Sequence, residues 1–481
     1  QSGAGNGLHV TGTTDLVGNT TLTGNLAVSG DYSSTTAGTS NLRLGVNAGN
    51  SIASGGNYNT VVGDEAGTAI TTGDYNVAVG YDALTVDTLG GNSVAIGAFA
   101  LRDQNFTSAT NAYNVGVGYE AGGSVTTGVN NTLIGGLAGD AITTGNNNSV
   151  VGYSALGANT TGASNAAFGL LSLAANTTAS FNSGFGQNSL AANTTGANNS
   201  AVGFGALAAN TTASNNTAVG HSALLANTTG TQNVSVGAFA LDANTTANDN
   251  TGVGYGALSA NTTGASNTAL SNALGGNTTG ASNTGLGHFA LANNTTANAN
   301  TAVGKSALFA NTTGTSNVAL GYEAMLTNTT ADNNTAVGLR ALKLNTTGAS
   351  NVALGTSALE ANTTASNNTA VGHLSLGANT TGTSNTAIGD SAGAALTTGS
   401  YNVIAGHRAG DALDTGGNNV AIGWAALTLD TKGDKSTAVG RSALASQNFT
   451  SATDSYNVAV GYLAGAAVTT ATGSTLIGGL S

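Results

Sequence analysis

The chain of 481 residues contains no proline and no cysteine, and only 6% of its residues are charged. The absence of cysteine excludes disulfide bonds, thiolate metal sites and cysteine nucleophiles. Nine lysines and arginines against 21 aspartates and glutamates give a net charge of −12, which leaves no basic surface for nucleic acid. No apolar run approaches the roughly 18 residues that a spanning helix needs. We therefore expect neither nucleic-acid binding nor membrane insertion.

Residue arrangements that carry catalysis are also missing from the sequence. The five histidines are scattered along the chain. No Ser/His/Asp arrangement, phosphate-binding loop or dinucleotide fingerprint occurs in the strand-to-helix context that such motifs require. The sequence therefore predicts that the protein is not an enzyme and that it uses no cofactor and no metal ion.

Glycine is abundant, with 73 residues, and it marks an internal repeat. The motif Asn-x-x-(Val/Ile/Leu/Phe)-Gly recurs every 17 residues in 25 copies whose last residues run from Gly63 to Gly478. One copy is defective and ends at Ser271, and Gly45 ends a possible earlier copy. A fixed period of this length is typical of solenoid architectures.

The unit from Asn216 to Gln232 alternates two short apolar runs with two polar turns, which predicts one coil of a parallel β-solenoid. Val219 and Leu224 are its larger apolar residues, and we expect both to fill a narrow core. Asn occupies the first position in 22 of the 25 copies. We expect these side chains to hydrogen-bond from coil to coil as an amide ladder. Helices are the competing interpretation, but the apolar runs are far too short for stable helices.

A single coil cannot be stable by itself. Burying one Val and one Leu contributes about 1.5–3 kcal/mol each, whereas ordering each backbone residue costs roughly 1–2 kcal/mol. Hydrogen bonds between coils must offset this cost, and an interface between chains would add to them. The sequence therefore predicts a homo-oligomer.

Composition and repeat quality divide the chain into four segments. We predict an extended assembly segment at residues 1–40, an N-terminal repeat module at 41–140, regular repeats at 141–389 and a C-terminal repeat module at 390–481. Residues 112–138 closely match residues 455–481, so the two end modules share a duplicated part. In the middle, Asn-Thr-Thr-Gly turns alternate with Asn-Thr-Thr-Ala turns, which creates a period of 34 residues.

Motifs such as Asn92-Ser-Val-Ala-Ile-Gly97, Asn216-Thr-Ala-Val-Gly220 and Asn351-Val-Ala-Leu-Gly355 resemble the head repeats of trimeric autotransporter adhesins, and their 17-residue form is similar to bacteriophage tail-fibre repeats. The resemblance covers residues 41–481 and implies an all-β fold, a left-handed parallel β-roll of about 25 coils in a homotrimeric fibre. Residues 1–40 resemble the strand repeats of fibre shafts.

The resemblance implies a structural fibre, a phage tail fibre or an adhesin, that attaches to a cell-surface glycan or protein receptor. Its location would be extracellular or on a virion surface. The chain has no heptad stalk and no membrane-anchor barrel, which favours the phage type. The alternative is a self-assembling extracellular filament or sheath subunit, whose molecules join through residues 1–40.

Large side chains gather at the residue directly after the motif glycine, in what we call the aromatic column. Two interpretations remain open: an exposed stripe of aromatic and imidazole groups that stacks on sugar rings, or side chains that fill a groove at an interface between chains. Lys305 and Arg441 share the column. Its candidate residues are Tyr81, Tyr119, Tyr153, Phe204, His221, Tyr255, His288, Tyr322, His373, His407, Trp424 and Tyr462.

The Asn-Thr-Thr turns also match the acceptor sequence for N-glycans. Turn structure and glycan attachment both remain open from the sequence. The candidate acceptors are Asn159, Asn176, Asn193, Asn210, Asn227, Asn244, Asn261, Asn277, Asn294, Asn311, Asn328, Asn345, Asn362 and Asn379.

Overall fold

A computed structural model describes residues 38–481, so all but the last three residues of the predicted extended segment lie outside the described part. Residues 38–481 form an all-β parallel solenoid of about 26 coils, in which one strand from each coil joins a single 26-stranded sheet. This confirms the predicted fold class and the 17-residue period. No helix capable of crossing a membrane is found in this part of the chain.

Almost every strand is three residues long, and four two-residue strands form two small extra ladders. The strands are β1 Leu42–Leu44, β2 Thr60–Val62, β3 Val77–Val79, β4 Gly90–Gly91, β5 Val94–Ile96, β6 Thr110–Asn111, β7 Val115–Val117, β8 Thr132–Ile134, β9 Ser149–Val151, β10 Ala166–Phe168, β11 Ser183–Phe185, β12 Ser200–Val202, β13 Thr217–Val219, β14 Val234–Val236, β15 Thr251–Val253, β16 Thr268–Leu270, β17 Thr284–Leu286, β18 Thr301–Val303, β19 Val318–Leu320, β20 Thr335–Val337, β21 Val352–Leu354, β22 Thr369–Val371, β23 Thr386–Ile388, β24 Val403–Ala405, β25 Val420–Ile422, β26 Gly433–Asp434, β27 Thr437–Val439, β28 Thr453–Asp454, β29 Val458–Val460 and β30 Thr475–Ile477.

Equivalent residues of successive coils pair in register along the main sheet. Between β13 and β14, for example, Ala218 lies opposite Ser235 and Val219 lies opposite Val236. Because parallel strands lie about 4.8 Å apart, the stack of 26 strands extends for about 120 Å. We number the positions of a coil from 1 to 17 on the unit from Asn216 to Gln232 and use these numbers below.

The core is narrower than the sequence predicts. Leu224, at position 9, is fully buried as expected, together with Ala218 at position 3 and Ala223 at position 8. Val219, at position 4, is 37% exposed and faces outward, so its assignment to the core is wrong. The reason is the alternation of side chains in a strand: the small central Ala points into the roll, and both of its neighbours point out.

The motif glycine at position 5 is required by both conformation and space. Gly220 has a φ of +137°, and a Cβ atom there would lie 2.6 Å from the carbonyl carbon of Gly237 in the next coil. At the defective copy, Ser271 takes a φ of 63° instead. The following coil is one residue shorter, yet β16 and β17 keep the common register.

The predicted amide ladder exists at position 1 and links most coils to the one before them. The backbone N–H of Asn216 donates to Oδ1 of Asn199 at 3.0 Å, and its Nδ2 donates to the carbonyl of Gly230 at 2.9 Å.

At Ser93, which replaces an asparagine, the Gln104 side chain reaches across and donates to the serine Oγ at 2.9 Å. This contact maintains a side-chain hydrogen bond where the amide is missing. After the serine copies, Nδ2 of Asn114 and of Asn457 donates instead to the side chain of Gln104 and of Gln447.

A second asparagine ladder, which the sequence analysis does not foresee, runs through position 12. Nδ2 of Asn227 donates to Oδ1 of Asn210 at 3.0 Å and to the carbonyl of Gly230 at 2.9 Å. The same pair of bonds recurs in coil after coil up to Asn379. The coil is therefore held by two rows of amides besides its small apolar core.

The 34-residue period also has a structural cause. In most coils with an Asn-Thr-Thr-Gly turn, the residue after the Gly donates its backbone N–H to a side chain of the next coil. The N–H of Ala197, for example, donates to Oγ of Ser214 at 3.0 Å. A Cβ atom on Gly196 would collide with the carbonyl oxygen of Ala213. The coils are therefore arranged in pairs. One coil has Gly at position 15, and the next has Ala at that position, followed by a side chain that accepts the hydrogen bond.

The two ends of the solenoid differ. Arg43 occupies the inward central position of β1, and its Nε donates to the carbonyl of Ala48 at 2.5 Å. At the other end, Val468 and Leu476 are only partly buried, although their counterparts in the duplicated module, Val125 and Leu133, are fully buried. The first described coil therefore carries a polar cap, and the last coil leaves its core open.

Candidate binding surface

The outward side of the main sheet, which we call the outer sheet face, consists of positions 2 and 4. Position 4 carries Val, Ile, Leu or Phe in nearly every coil, and its side chains are partly exposed, for example Ile134 at 39% and Leu320 at 45%. Position 2 carries mainly Thr and Val, including the exposed Val403. A continuous apolar surface of this length is unusual for a chain that stays alone.

All twelve residues of the aromatic column are exposed in the single chain. They directly follow the position 5 glycine, whose positive φ ends the strand and turns the backbone. In-register stacking brings equivalent side chains of successive coils together. Several residues of the aromatic column therefore contact one another, and they form groups that the sequence alone does not define.

One such group is a run of four rings in the central repeats. Phe204 and His221 stack with ring centroids 5.3 Å apart and an angle of 18° between planes. His221 then contacts Phe239 at 5.2 Å, and Phe239 contacts Tyr255 at 5.9 Å. Because these rings face one another along the solenoid, they cover part of each other's stacking surface. Their geometry favours packing between coils over sugar stacking at this part of the column.

A second group joins His373 and His407 through Asp390, which the sequence analysis does not single out. Nδ1 of His373 lies 2.9 Å from one carboxylate oxygen of Asp390, and Nε2 of His407 lies 3.4 Å from the other. The hydrogen bond with His373 lowers the pKa of the Asp390 carboxyl from its usual range. In residues 38–481 no group of three or more His, Cys, Asp or Glu side chains is placed to hold a metal ion.

A third group lies in the C-terminal module, where Arg441 stands between two rings. Its guanidinium carbon is 4.8 Å from the ring centroid of Trp424 and 5.7 Å from that of Tyr462. The matching rings of the N-terminal module are Tyr81 and Tyr119, and there Phe99 contacts both edge-on. The duplicated modules therefore share the outer two rings but differ in the group between them.

The remaining column residues make fewer ring contacts. His288 lies against Phe289 at 3.8 Å, and Tyr322 has Lys305 6.0 Å from its ring centroid. A hydrogen bond to Glu323 raises the pKa of the Tyr322 hydroxyl. The sequence analysis missed the ring contacts of Phe99, Phe239 and Phe289 because these residues lie one position beyond the column. For Phe99 and Phe239, the alanine that stands in the column directly before each could have drawn attention to them.

The fourteen candidate glycan acceptors form the second asparagine ladder and are all fully buried. In Asn227, as in its equivalents, Nδ2 is the atom that would carry the glycan, and it already donates two hydrogen bonds. A glycan on Nδ2 would replace one of its hydrogens and would need space that the buried turn does not provide. Attachment at these residues is therefore incompatible with the folded ladder.

The chain matches no family model, and no curated protein matches it. What is established is the class of fold, a parallel β-solenoid with a 17-residue repeat.

Proposed function

We propose that the protein is a homotrimeric structural fibre that attaches to a cell surface, as a phage tail fibre or an adhesin does, and that it is not an enzyme. The observation that carries the proposal is the outer sheet face. Its apolar side chains follow one another through nearly all the coils of residues 38–481, where many of them remain more than one third exposed. A second and third copy of the same chain would present an identical column with the same spacing.

The physical argument is that the outer sheet face repeats with the same spacing in every copy of the chain, so that the faces of two copies can pack against each other along their whole length. Residues such as Val202, Leu320 and Ile388, which are 43%, 45% and 49% exposed, would be removed from water if three chains placed this face toward a common axis. Each coil buries mainly Ala and one Leu within itself, so the contribution between chains matters. We expect the assembled protein to be a rigid rod located outside the cell or on a virion.

The receptor in this proposal is a glycan or protein of a cell surface, and the aromatic column is the surface offered to it. Tyrosine, tryptophan and histidine combine an apolar ring with a polar group, which suits them to such contacts. Tyr255 and Tyr322 of the column are 69% and 42% exposed, so their rings are accessible to a receptor.

The oligomeric state tests the first half of the proposal. Light scattering of the full chain should give a native mass near three times the 46.0 kDa of one chain. The triple variant Val202→Asp, Leu320→Asp and Ile388→Asp should shift the mass toward a single chain. A matched control replaces Leu225, Leu344 and Leu429, which are exposed outside the strands, by Asp and should leave the mass unchanged. A monomeric wild-type protein, or equal effects of both triple variants, would contradict the trimer.

Binding to cells tests the second half. Labelled wild-type protein should bind a susceptible bacterial surface saturably, and joint replacement of Tyr255, Tyr322 and His288 by Ser should reduce this binding if the column contacts the receptor. Unchanged binding together with a lower melting temperature would assign these three residues to packing. Absence of saturable binding across a broad panel of cell surfaces would overturn attachment as the role.

A self-assembling filament remains the second candidate. Within residues 38–481, β30 pairs with β29 alone, and if this edge is free in the assembled protein it is a template for strand addition. If molecules join there through residues 1–40 of a neighbour, a chain shortened to residues 41–481 should lose polymerisation, whereas a trimer built on the outer sheet face should persist.

A further inference from the structure

We propose that the guanidinium of Arg441, held between Trp424 and Tyr462, is a binding site for the anionic group of an acidic saccharide. The proposal rests on the proposed attachment function and names the ligand chemistry of one part of the aromatic column. A carboxylate or a phosphate on the sugar would meet the same guanidinium edge, and the experiment below separates these two sources.

The first argument compares the five arginines of the chain, all of which are described. Arg102, Arg340 and Arg408 each form an ion pair with a carboxylate, and Arg43 donates to a backbone carbonyl. Arg441 has neither an ion pair nor a side-chain hydrogen bond within residues 38–481, and its only partners there are the two rings. Among the arginines, Arg441 is thus the one that bonds to neither a carboxylate nor a backbone carbonyl within the described residues.

The second argument comes from the duplicated modules. Trp424, Arg441 and Tyr462 correspond to Tyr81, Ala98 and Tyr119 in the N-terminal module. There the gap between the outer rings is filled by Phe99, which contacts them at 5.4 and 5.9 Å. An apolar ring therefore suffices for packing at this position of the fold. The C-terminal module instead places an exposed charge there, which packing does not require.

The third argument is the geometry of the clamp. The guanidinium carbon lies 4.8 Å from one ring centroid and 5.7 Å from the other, and neither ring accepts a conventional hydrogen bond, so the guanidinium N–H groups remain available to a ligand. These groups form a planar fork of donors that matches the two oxygens of a carboxylate or phosphate. Because the rings restrict the long Arg side chain, less conformational entropy is lost when a ligand binds. The exposed edges of Trp424 and Tyr462, 47% and 51% exposed, lie beside the fork and can contact the sugar ring.

The fourth argument is the surrounding charge. Asp390, the acidic residue of the same column in this module, already contacts both His373 and His407. Lys435, another cation of the module, is paired with Asp454 at 2.7 Å. The acidic groups on these elements are thus bonded to other partners, which leaves Arg441 free for an external anion.

The experiment measures binding of defined oligosaccharides to the full-length protein by calorimetry at low salt. The probes are tetragalacturonate, its fully methyl-esterified form, which lacks the charges, and a phosphate-bearing glycerol-phosphate hexamer. The variants are Arg441→Gln and, as a control in the same module with equal loss of charge, Arg408→Gln. Both replaced side chains are exposed, and circular dichroism and native mass establish that the variants keep the fold and assembly.

We expect at least one charged probe to bind the wild type, the methyl ester to bind much more weakly, and Arg441→Gln to weaken binding by about tenfold or more. Arg408→Gln should change it by less than about twofold. Arg441→Lys should retain only part of the affinity, since Lys keeps the charge and loses the fork. Preference for tetragalacturonate identifies the carboxylate as the recognised group, and preference for the hexamer identifies the phosphate.

The proposal is overturned if neither charged probe binds, if the ester binds equally well, or if both Gln variants weaken binding alike. Its failure is distinguishable from that of the attachment function. If Arg441→Gln leaves cell binding intact, Arg441 is not the binding site, and the proposed attachment function still stands. Loss of probe binding in that variant, in a protein that binds no cell surface, would preserve the site and reject the function.

Discussion

At the scale of single residues, the fit of a Cβ atom between coils decides which residue a turn accepts. Gly196 and Ala213 occupy the same position in neighbouring coils, and a Cβ atom on Gly196 would collide with the carbonyl oxygen of Ala213, which itself carries a Cβ atom. The alternation of Gly and Ala turns thus follows from a difference in backbone approach between the two coils of a pair. It is not a random drift of small residues.

We predict that Gly196→Ala lowers the free energy of unfolding by about 1–3 kcal/mol, because the new methyl group must displace the backbone carbonyl of Ala213. The reciprocal change Ala213→Gly should cost only about 0.5–1 kcal/mol through added backbone freedom. Denaturant titration of both variants measures the difference. Equal effects of the two substitutions would show that the close approach has no energetic weight.

A second prediction concerns Asp87, whose buried carboxylate accepts hydrogen bonds from the backbone N–H groups of Gly90 and Phe106 and from Nε2 of Gln104. Burial raises the pKa of Asp87. The folded chain therefore holds this proton at a pH where the unfolded chain has released it, so the free energy of unfolding falls as the pH rises through the raised pKa.

Asp87→Asn removes this titration, and its melting temperature should fall less than that of the wild type when the pH is raised from about 4 to about 7. Asp249→Asn, which removes an exposed carboxylate, is the control and should follow the wild-type curve. If the melting temperatures of Asp87→Asn and the wild type changed equally with pH, the raised pKa of Asp87 would not contribute to the pH dependence of stability.

At the scale of the coil, the two asparagine ladders join neighbouring coils through buried side chains. Asn227→Ala would leave Nδ2 of Asn244 and Oδ1 of Asn210 without their ladder partner. Unpaired buried polar atoms cost about 1–3 kcal/mol. We expect hydrogen-exchange protection in the coils around Asn227 to fall by about tenfold or more.

Thr229→Ala is the matched control for the ladder. Thr229 lies in the same turn, is exposed, and has no side-chain hydrogen bond in the described residues. Its replacement should leave protection within about twofold of the wild type, as for most surface substitutions. The ladder would carry no stability of its own if both variants exchanged alike.

The coil also marks the limit of what the sequence could predict. A fixed period assigns residues to columns, so the 26-stranded sheet, the turns and the first ladder follow from it. The period does not say which side of a strand faces in, and size misled the assignment of Val219. The cue was available: position 3 is Ala or Gly in most coils, as with Ala218, whereas position 4 is mostly a large apolar residue and includes Phe168 and Phe185.

Contacts between side chains of neighbouring coils could not be predicted from the sequence for a different reason. The Asn-Thr-Thr turns were interpreted as turns or glycan acceptors because burial cannot be deduced from a tripeptide. Similarly, the contacts of Arg441 and Asp390 are made with side chains of the preceding and following coils, and the sequence does not show which of these side chains they reach. The exact direction of a side chain at a turn depends on φ values that composition does not determine.

At the scale of the whole molecule, a chain that ends at Ser481 should differ in stability between the two ends of its solenoid. In the first described coil Arg43 bonds across the core, whereas Val468 and Leu476 of the last described coil are only partly buried. Because each coil of a solenoid contacts only its neighbours, opening begins at an unprotected end. We predict that amides of β29 and β30 exchange faster than those of β2 and β3 when hydrogen exchange is followed by mass spectrometry.

Arg43→Ala should reduce this asymmetry by exposing the first coil and speeding exchange in β2, with no change at β30. Arg340→Ala serves as the control, since it removes a surface arginine from the central repeats. Exchange that is uniform along the wild-type rod, or faster at the capped end, would contradict the assignment of Arg43 as a cap.

The ladders have one more consequence, which lies in the order in which the chain is made. At both ladder positions the donor belongs to the later coil and the acceptor to the earlier one, as with Asn216 and Asn199 or Asn227 and Asn210. During synthesis from the N-terminus, every coil leaving the ribosome therefore meets a finished row of acceptors. The solenoid can thus fold in the direction of translation, with each completed coil acting as a template that sets the register of the next.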